Sequence, residues 1–171
     1  MVNASPEIIS SLPRSMITAN FGAALSARLK GRDCRVGIGS ARLRAPAAGF
    51  AYPDLFVISG QVQYSAEDPG AFTNPRIVAD VVSPFAVQGD YGLKGWLYRN
   101  VPSVQECAIV SKDEPWIEVT RRDRGKMWTI TTVEDLNATV TFESLGISIP
   151  LAEIYAGVPL NSGRTAETPP Q

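Results

Sequence analysis

Ile77-Val78-Ala79-Asp80-Val81-Val82 is a short apolar run interrupted by a single acid. Its length, its β-branched residues and the closing Pro84 predict a strand over Arg76 to Ser83 that is buried on both faces. Two-residue alternation puts Val78, Asp80 and Val82 on one face and Ile77, Ala79 and Val81 on the other. Asp80 is the anomaly. A carboxylate in an apolar strand is costly to desolvate unless a metal, a cation or a hydrogen-bond network compensates it.

Upstream, Tyr52-Pro53-Asp54-Leu55-Phe56-Val57-Ile58 sets a second acid at the mouth of another apolar strand. If 55–59 pairs with 77–82, Asp54 and Asp80 meet at one sheet edge, where two carboxylates repel unless a cation lies between them. Lys94 follows on an expected helix over Ala86 to Asn100, with Leu93, Trp96 and Leu97 on its inner face. Two acids and a lysine are the parts needed to hold a divalent ion against a phosphodiester. Oxygen-only ligation favours Mg²⁺ or Mn²⁺.

Each residue also has an ordinary reading. Asp54 follows a proline and suits a turn or cap. Asp80 suits a structural pair with Arg76 or Arg99. Lys94 lies four residues after Asp90, the order of a solvated helix pair. Arg121, Arg122, Arg124 and Lys126 cluster at one hairpin, either as a solvated turn or as a weak contact to a nucleic-acid backbone. Trp96, Trp116 and Trp128 read as packing residues. Ser83 with Lys94 lacks the nucleophile elbow and oxyanion hole of a hydrolase.

The absence of histidine narrows the chemistry. It removes Ser-His-Asp and Cys-His hydrolysis and histidine-ligated zinc. Hydrolysis here would run on carboxylates, lysine, arginine, hydroxyls and an activated water. A net charge of −1 argues against coating nucleic acid by bulk electrostatics, while leaving room for a local basic groove. The 171 residues suit one domain with a sizeable core. No stretch matches a membrane span or a signal peptide, and Cys34 and Cys107 read as free thiols, with an inter-strand disulfide as the alternative, so a cytoplasmic setting is expected.

Leu12 to Lys30 predicts an amphipathic helix, with Ile17, Phe21, Leu25 and Leu29 at four-residue spacing, Ala24 on the same face and Gly31 as its stop. Short β-pieces are expected near 34–38 and 41–45, a turn at 47–50, and a long loop over Gln61 to Asn74. An antiparallel meander follows over 104–110, 116–122 and 126–132. Ala138 to Phe142 predicts another strand, and Pro150 to Tyr155 a short helix. The expected organisation is an extension over 1–11, one domain over 12–158 and a disordered tail over 159–171. Helices alternating with strands predict an α/β (α+β) fold, a central mixed sheet flanked by helices.

The ordered series Tyr52-Pro53-Asp54, Thr73-Asn74-Pro75, Ile77 to Pro84, Asp90-Tyr91-Gly92-Leu93-Lys94, Leu97-Tyr98-Arg99 and Pro102-Ser103-Val104-Gln105-Glu106 resembles the Uma2 family of endonuclease-like proteins, also known as a domain of unknown function. Leu145-Gly146-Ile147 and Pro150 to Tyr155 extend the resemblance, which runs from about Leu12 to Val158. It implies the PD-(D/E)xK restriction-endonuclease-like superfamily, with a mixed sheet, a helix on each side and a Mg²⁺ (or Mn²⁺) site at the sheet edge. Asp54 would be the first metal ligand and Asp80 would replace the usual glutamate. Lys94 would supply the lysine normally found two residues after that acid, where Val82 stands. Glu106 would be a further ligand or a support. Three positions depart from the pattern: Asp80 is one methylene short, Phe85-Ala86 replaces small hydroxyl residues, and Arg14 stands where the first helix often carries a histidine or acid.

The implied function is metal-dependent hydrolysis of DNA phosphodiesters. Its alternative is an inactive or weak nuclease-fold protein that binds nucleic acid or a protein partner. A homodimer would let so small a nuclease cut both strands.

Overall fold

The computed structural model describes residues 6–39, 41–83, 91–124 and 127–160, with 6–11 and 91 described by backbone alone. Helix α1 (Pro6–Leu29) leads into β1 (Cys34–Ile38), β2 (Arg42–Ala45), β3 (Gly49–Ala51), β4 (Leu55–Ser59), β5 (Ala71–Phe72) and β6 (Ile77–Val82). Helix α2 (Tyr91–Arg99) precedes β7 (Glu106–Ser111), β8 (Ile117–Arg122), β9 (Trp128–Val133), β10 (Thr139–Phe142), β11 (Ile147–Pro150) and α3 (Leu151–Ile154).

Six strands form the main sheet in the order β1-β4-β6-β7-β8-β9. Only β6 and β7 run parallel in it, joined by the crossover that carries α2, so the sheet is mixed. β6 lies between β4 and β7, which is why its residues are buried on both faces.

Strand alternation sorts the core into two layers. Ile77, Ala79 and Val81 pack with α1 through Ile17, Phe21, Leu25 and Leu29, and with the β10–β11 hairpin and α3. Val78 faces the other way, toward Tyr98 of α2, Val101, Val104 and the small sheet β3-β2-β5. The expected α1 face is therefore the buried one, and the helix ends where Gly31 takes a positive φ of 80°. Backbone helix extends back to Pro6, six residues before the expected start, with Pro13 inside it.

Two expectations need correction. Gln61 to Asn74 is not wholly loop, since Ala71–Phe72 forms β5 parallel to β2 and Tyr64 bridges Phe72. The two-residue strand is too short to show an alternation in sequence. On α2, Leu93 and Trp96 are exposed, whereas Gly95 and Tyr98 are buried. The helix is rotated so that its polar groups reach Asp80. Asp90, Phe85-Ala86 and the start of the expected second helix lie outside the described residues, as does the tail beyond 160.

Candidate active site

Asp80 is fully buried on β6. The β4–β6 register pairs Leu55 with Ala79, so Asp54, just before β4, stands opposite Asp80. The two acids are stitched together through the backbone. The Asp54 amide donates to Asp80 Oδ1 at 3.0 Å, and the Val81 amide donates to Asp54 Oδ2 at 2.9 Å. Both carboxylates thus occupy one end of the β4–β6 pair, each with a side-chain oxygen bonded to a backbone amide from the other side of the pair.

Each acid has its own cation. On α2, Lys94 and Tyr98 are one helical turn apart and converge on one oxygen. Tyr98 Oη donates to Asp80 Oδ2 at 2.5 Å, and Lys94 Nζ lies 3.1 Å from the same atom. From α1, Arg14 grips Asp54 with both arms of its fork. Nη2 donates to Oδ1 at 2.6 Å and Nε to Oδ2 at 3.2 Å. A cleft of about 470 Å³ opens on Arg14 and Asp54, walled by Ser15, Thr18, Ala19 and Ile38.

Burial pushes the Asp80 carboxyl above its ordinary range, opposed by the charge of Lys94 and the hydrogen bond from Tyr98. Tyr98 is itself raised well above a normal phenol, first by burial and then by the neighbouring Asp80 charge, so it stays a proton donor to the carboxylate. Burial also holds the Cys107 thiol up at about 11, leaving it an inert core residue.

Asp54, Asp80 and Lys94 are therefore brought together, and Glu106 is not. Glu106 pairs in register with Ile77, three steps from Asp80, so the two acids are roughly 10 Å apart along the strands and on opposite faces. Both its oxygens are engaged: Arg121 Nε at 2.8 Å and the Glu143 amide at 3.0 Å on Oε1, and the Ser144 amide at 3.0 Å on Oε2.

The basic hairpin is also redistributed. Arg121 is tied to Glu106 and Glu143. Arg122 donates to the carbonyls of Val104, Arg99 and Val101 and lies over the Trp128 ring. Arg124 remains exposed, and Lys126 lies outside the described residues. Arg76 and Arg99 are not partners of Asp80. Sequence reasoning missed Tyr98 as a site residue, although its spacing of four from Lys94 was a usable signal.

The Uma2 family model, described as "Putative restriction endonuclease", matches residues 10–152. The chain belongs to the Uma2 family. Two Synechocystis relatives align along most of this Uma2 chain. The uncharacterised protein sll1609 is 26% identical over 132 residues, covering 77% of this chain and 75% of the relative. The uncharacterised protein slr1290 is 23% identical over 145 residues, covering 84% and 75%. A solved structure from Anabaena variabilis ATCC 29413, described as "a putative nuclease belonging to DUF820", superposes with a TM-score of 0.64 at 14% identity. It covers 84% of this chain and 80% of its own. At that identity the likeness is one of fold: this Uma2 chain has a mixed-sheet nuclease fold. No helix among the described residues is long and apolar enough to cross a membrane.

Proposed function

We propose that this Uma2 chain is a metal-dependent endonuclease of the PD-(D/E)xK type, hydrolysing DNA phosphodiester bonds at Asp54, Asp80 and Lys94. One observation carries the reading. Three residues far apart in sequence converge at one sheet end, where a lysine ammonium lies 3.1 Å from a fully buried carboxylate.

The donor set fits Mg²⁺ or Mn²⁺ in kind. It has two carboxylates and no histidine or thiolate. Among the described residues, Asp54 Oδ1 and Asp80 Oδ1 each accept a single hydrogen bond, which leaves each a lone pair. No third His, Cys, Asp or Glu joins them among the described residues. One or two carboxylates are enough for a magnesium ion that shares its shell with waters and substrate phosphate. When bound, such an ion supplies charge neutralisation and an acidified water.

The chain's own residues do the rest. Tyr98 and the Asp54 amide fix the orientation of Asp80. Lys94, with 24% of its side chain exposed, keeps a cation where a phosphate oxygen would gain charge. Arg14 competes for Asp54. Its side chain is 46% exposed, so its hold on Asp54 is partly screened and an incoming phosphate can draw it away. The same grip favours a second reading, a nuclease-fold protein that binds nucleic acid without turnover because Arg14 takes the place of the metal.

Nicking of supercoiled plasmid with Mg²⁺ or Mn²⁺ tests the proposal. The native chain is expected to nick, and Asp54→Ala and Asp80→Ala to lose nicking while still binding DNA. A folded native chain that binds DNA and nicks with neither metal supports the second reading.

A further inference from the structure

Among the described residues, two buried polar side-chain atoms have no hydrogen-bond partner, Arg76 Nε and Ser144 Oγ. Both residues line the same cavity, of about 630 Å³, on the side of the molecule where β6 begins. Buried donors are almost always satisfied, so two orphans in one cavity call for a common acceptor.

Of the other arginines that line the cavity, Arg121 and Arg122 are already committed and Arg124 is exposed. Arg121 is bound to Glu106 and Glu143, and Arg122 to three carbonyls and the face of Trp128. The Asp123 carboxylate accepts the Arg124 amide at 2.6 Å. The Arg76 side chain has no ion pair and no hydrogen bond among the described residues. It is a half-buried guanidinium without a counter-ion.

Its position is rigid. The Arg76 amide donates to the Val57 carbonyl at 2.7 Å, and the Arg76 carbonyl accepts from Gln105 at 2.9 Å and Glu106 at 3.3 Å. Ser144 is held through its amide by the Glu106 carboxylate at 3.0 Å. Glu106 thus braces both orphan donors, one through its amide and the other through its side chain. A guanidinium N–H and a hydroxyl on different elements suit an anion with several diverging oxygens, and phosphate is the anion that guanidinium groups recognise best.

We propose that the cavity at Arg76 and Ser144 seats a phosphate group, and that this group is a backbone phosphate of bound nucleic acid. Arg76 lies four residues before Asp80, about 13 Å along the strand direction. A strand whose reacting phosphate sits at Asp80 and Lys94 would bring a neighbouring phosphate within that reach. The source of the phosphate rests on the nuclease reading, whereas the anion site itself does not.

The test uses the full chain without divalent metal. Anisotropy of a labelled DNA duplex is measured across a KCl series for the native chain, Arg76→Met, Ser144→Ala and Asp80→Asn. Amide resonances are followed on adding inorganic phosphate alone. Arg76→Met is expected to weaken duplex binding and to lower the slope of log affinity against log salt by about 1. Ser144→Ala should weaken binding without changing that slope, and it keeps the question open to decision if Arg76→Met fails to fold. The Ser144 amide should shift with phosphate in the native chain and stay still in Arg76→Met. In a parallel plasmid assay with Mg²⁺ restored, Asp80→Asn should lose nicking, so a failed nuclease reading is seen separately as native duplex binding without nicking. A Ser144 response to phosphate with native-like duplex binding in both cavity variants would overturn the nucleic-acid source. No response to phosphate or duplex at these positions would mean that water alone satisfies the two donors, and would overturn the site.

Discussion

At the scale of single residues, Asp80 costs folding energy and holds the site together. Burial raises its pKa above the ordinary 3.8, so between those two values the folded chain binds more protons than the unfolded one. Stability must then fall as pH rises through that window, with the penalty complete above the folded pKa. Asp80→Asn cannot titrate and should show a flatter dependence of the urea midpoint on pH across the mildly acidic range. An unchanged dependence would mean that Asp80 is solvated. Arg14 is the other decisive residue. It pairs with Asp54 through a fork of 2.6 and 3.2 Å, and its positive charge would oppose a divalent cation at the same carboxylate. Arg14→Ala is expected to tighten Mn²⁺ binding, read by calorimetric titration, by about tenfold, the equivalent of roughly 1.4 kcal/mol. Weaker binding in that variant would make Arg14 a support of the metal site.

At the scale of elements, register does the assembling. The antiparallel pairing of β4 with β6 sets Asp54 opposite Asp80, and the crossover helix brings Lys94 and Tyr98 over the same carboxylate. A close approach in the edge pair helps to fix this register. Gly37 of β1 faces Phe56 of β4, and a Cβ at Gly37 would lie 2.1 Å from the ring, which itself packs on Phe72 with centroids 4.4 Å apart. Gly37→Ala should therefore destabilise the fold by about 1–3 kcal/mol in chemical denaturation, as overpacking does; a neutral effect would mean that the ring moves aside freely. Sequence made β6, the α1 face and the meander legible, β6 through its apolar β-branched run, α1 through its four-residue spacing and the meander through its strand-forming runs between turn residues. β5 was not legible, being two residues long, and β11 was not, because its alternation spans only four residues. Leu93 and Trp96 misled for a physical reason: the rotation of α2 is set by the buried Tyr98–Asp80 bond, and apolar spacing along nine residues was too weak a guide against it. Glu106 misled in a similar way. A buried acid on the strand next to Asp80 reads as a further ligand until register shows that it faces the other side, braced by Arg121 and two amides.

At the scale of the whole molecule, the main sheet separates two cores and leaves its chemistry at the ends of β6. One end holds the acid pair with its two cations, and the other holds Arg76, whose side chain has no ion pair among the described residues. The net charge of −1 therefore hides a local arrangement, in which cations stand at particular contacts. The central claim is that Asp80 and Lys94 act as one centre. The measurement that tests it most directly is the single-turnover rate of plasmid nicking at saturating Mn²⁺ for the native chain, Asp80→Asn, Lys94→Met and the double variant, with folding checked by circular dichroism. The account predicts a loss of about a hundredfold or more for each single variant. It also predicts a double variant no worse than the weaker single one, as expected for groups that act as a unit. Full activity in either single variant, or losses that simply multiply in the double, would contradict it.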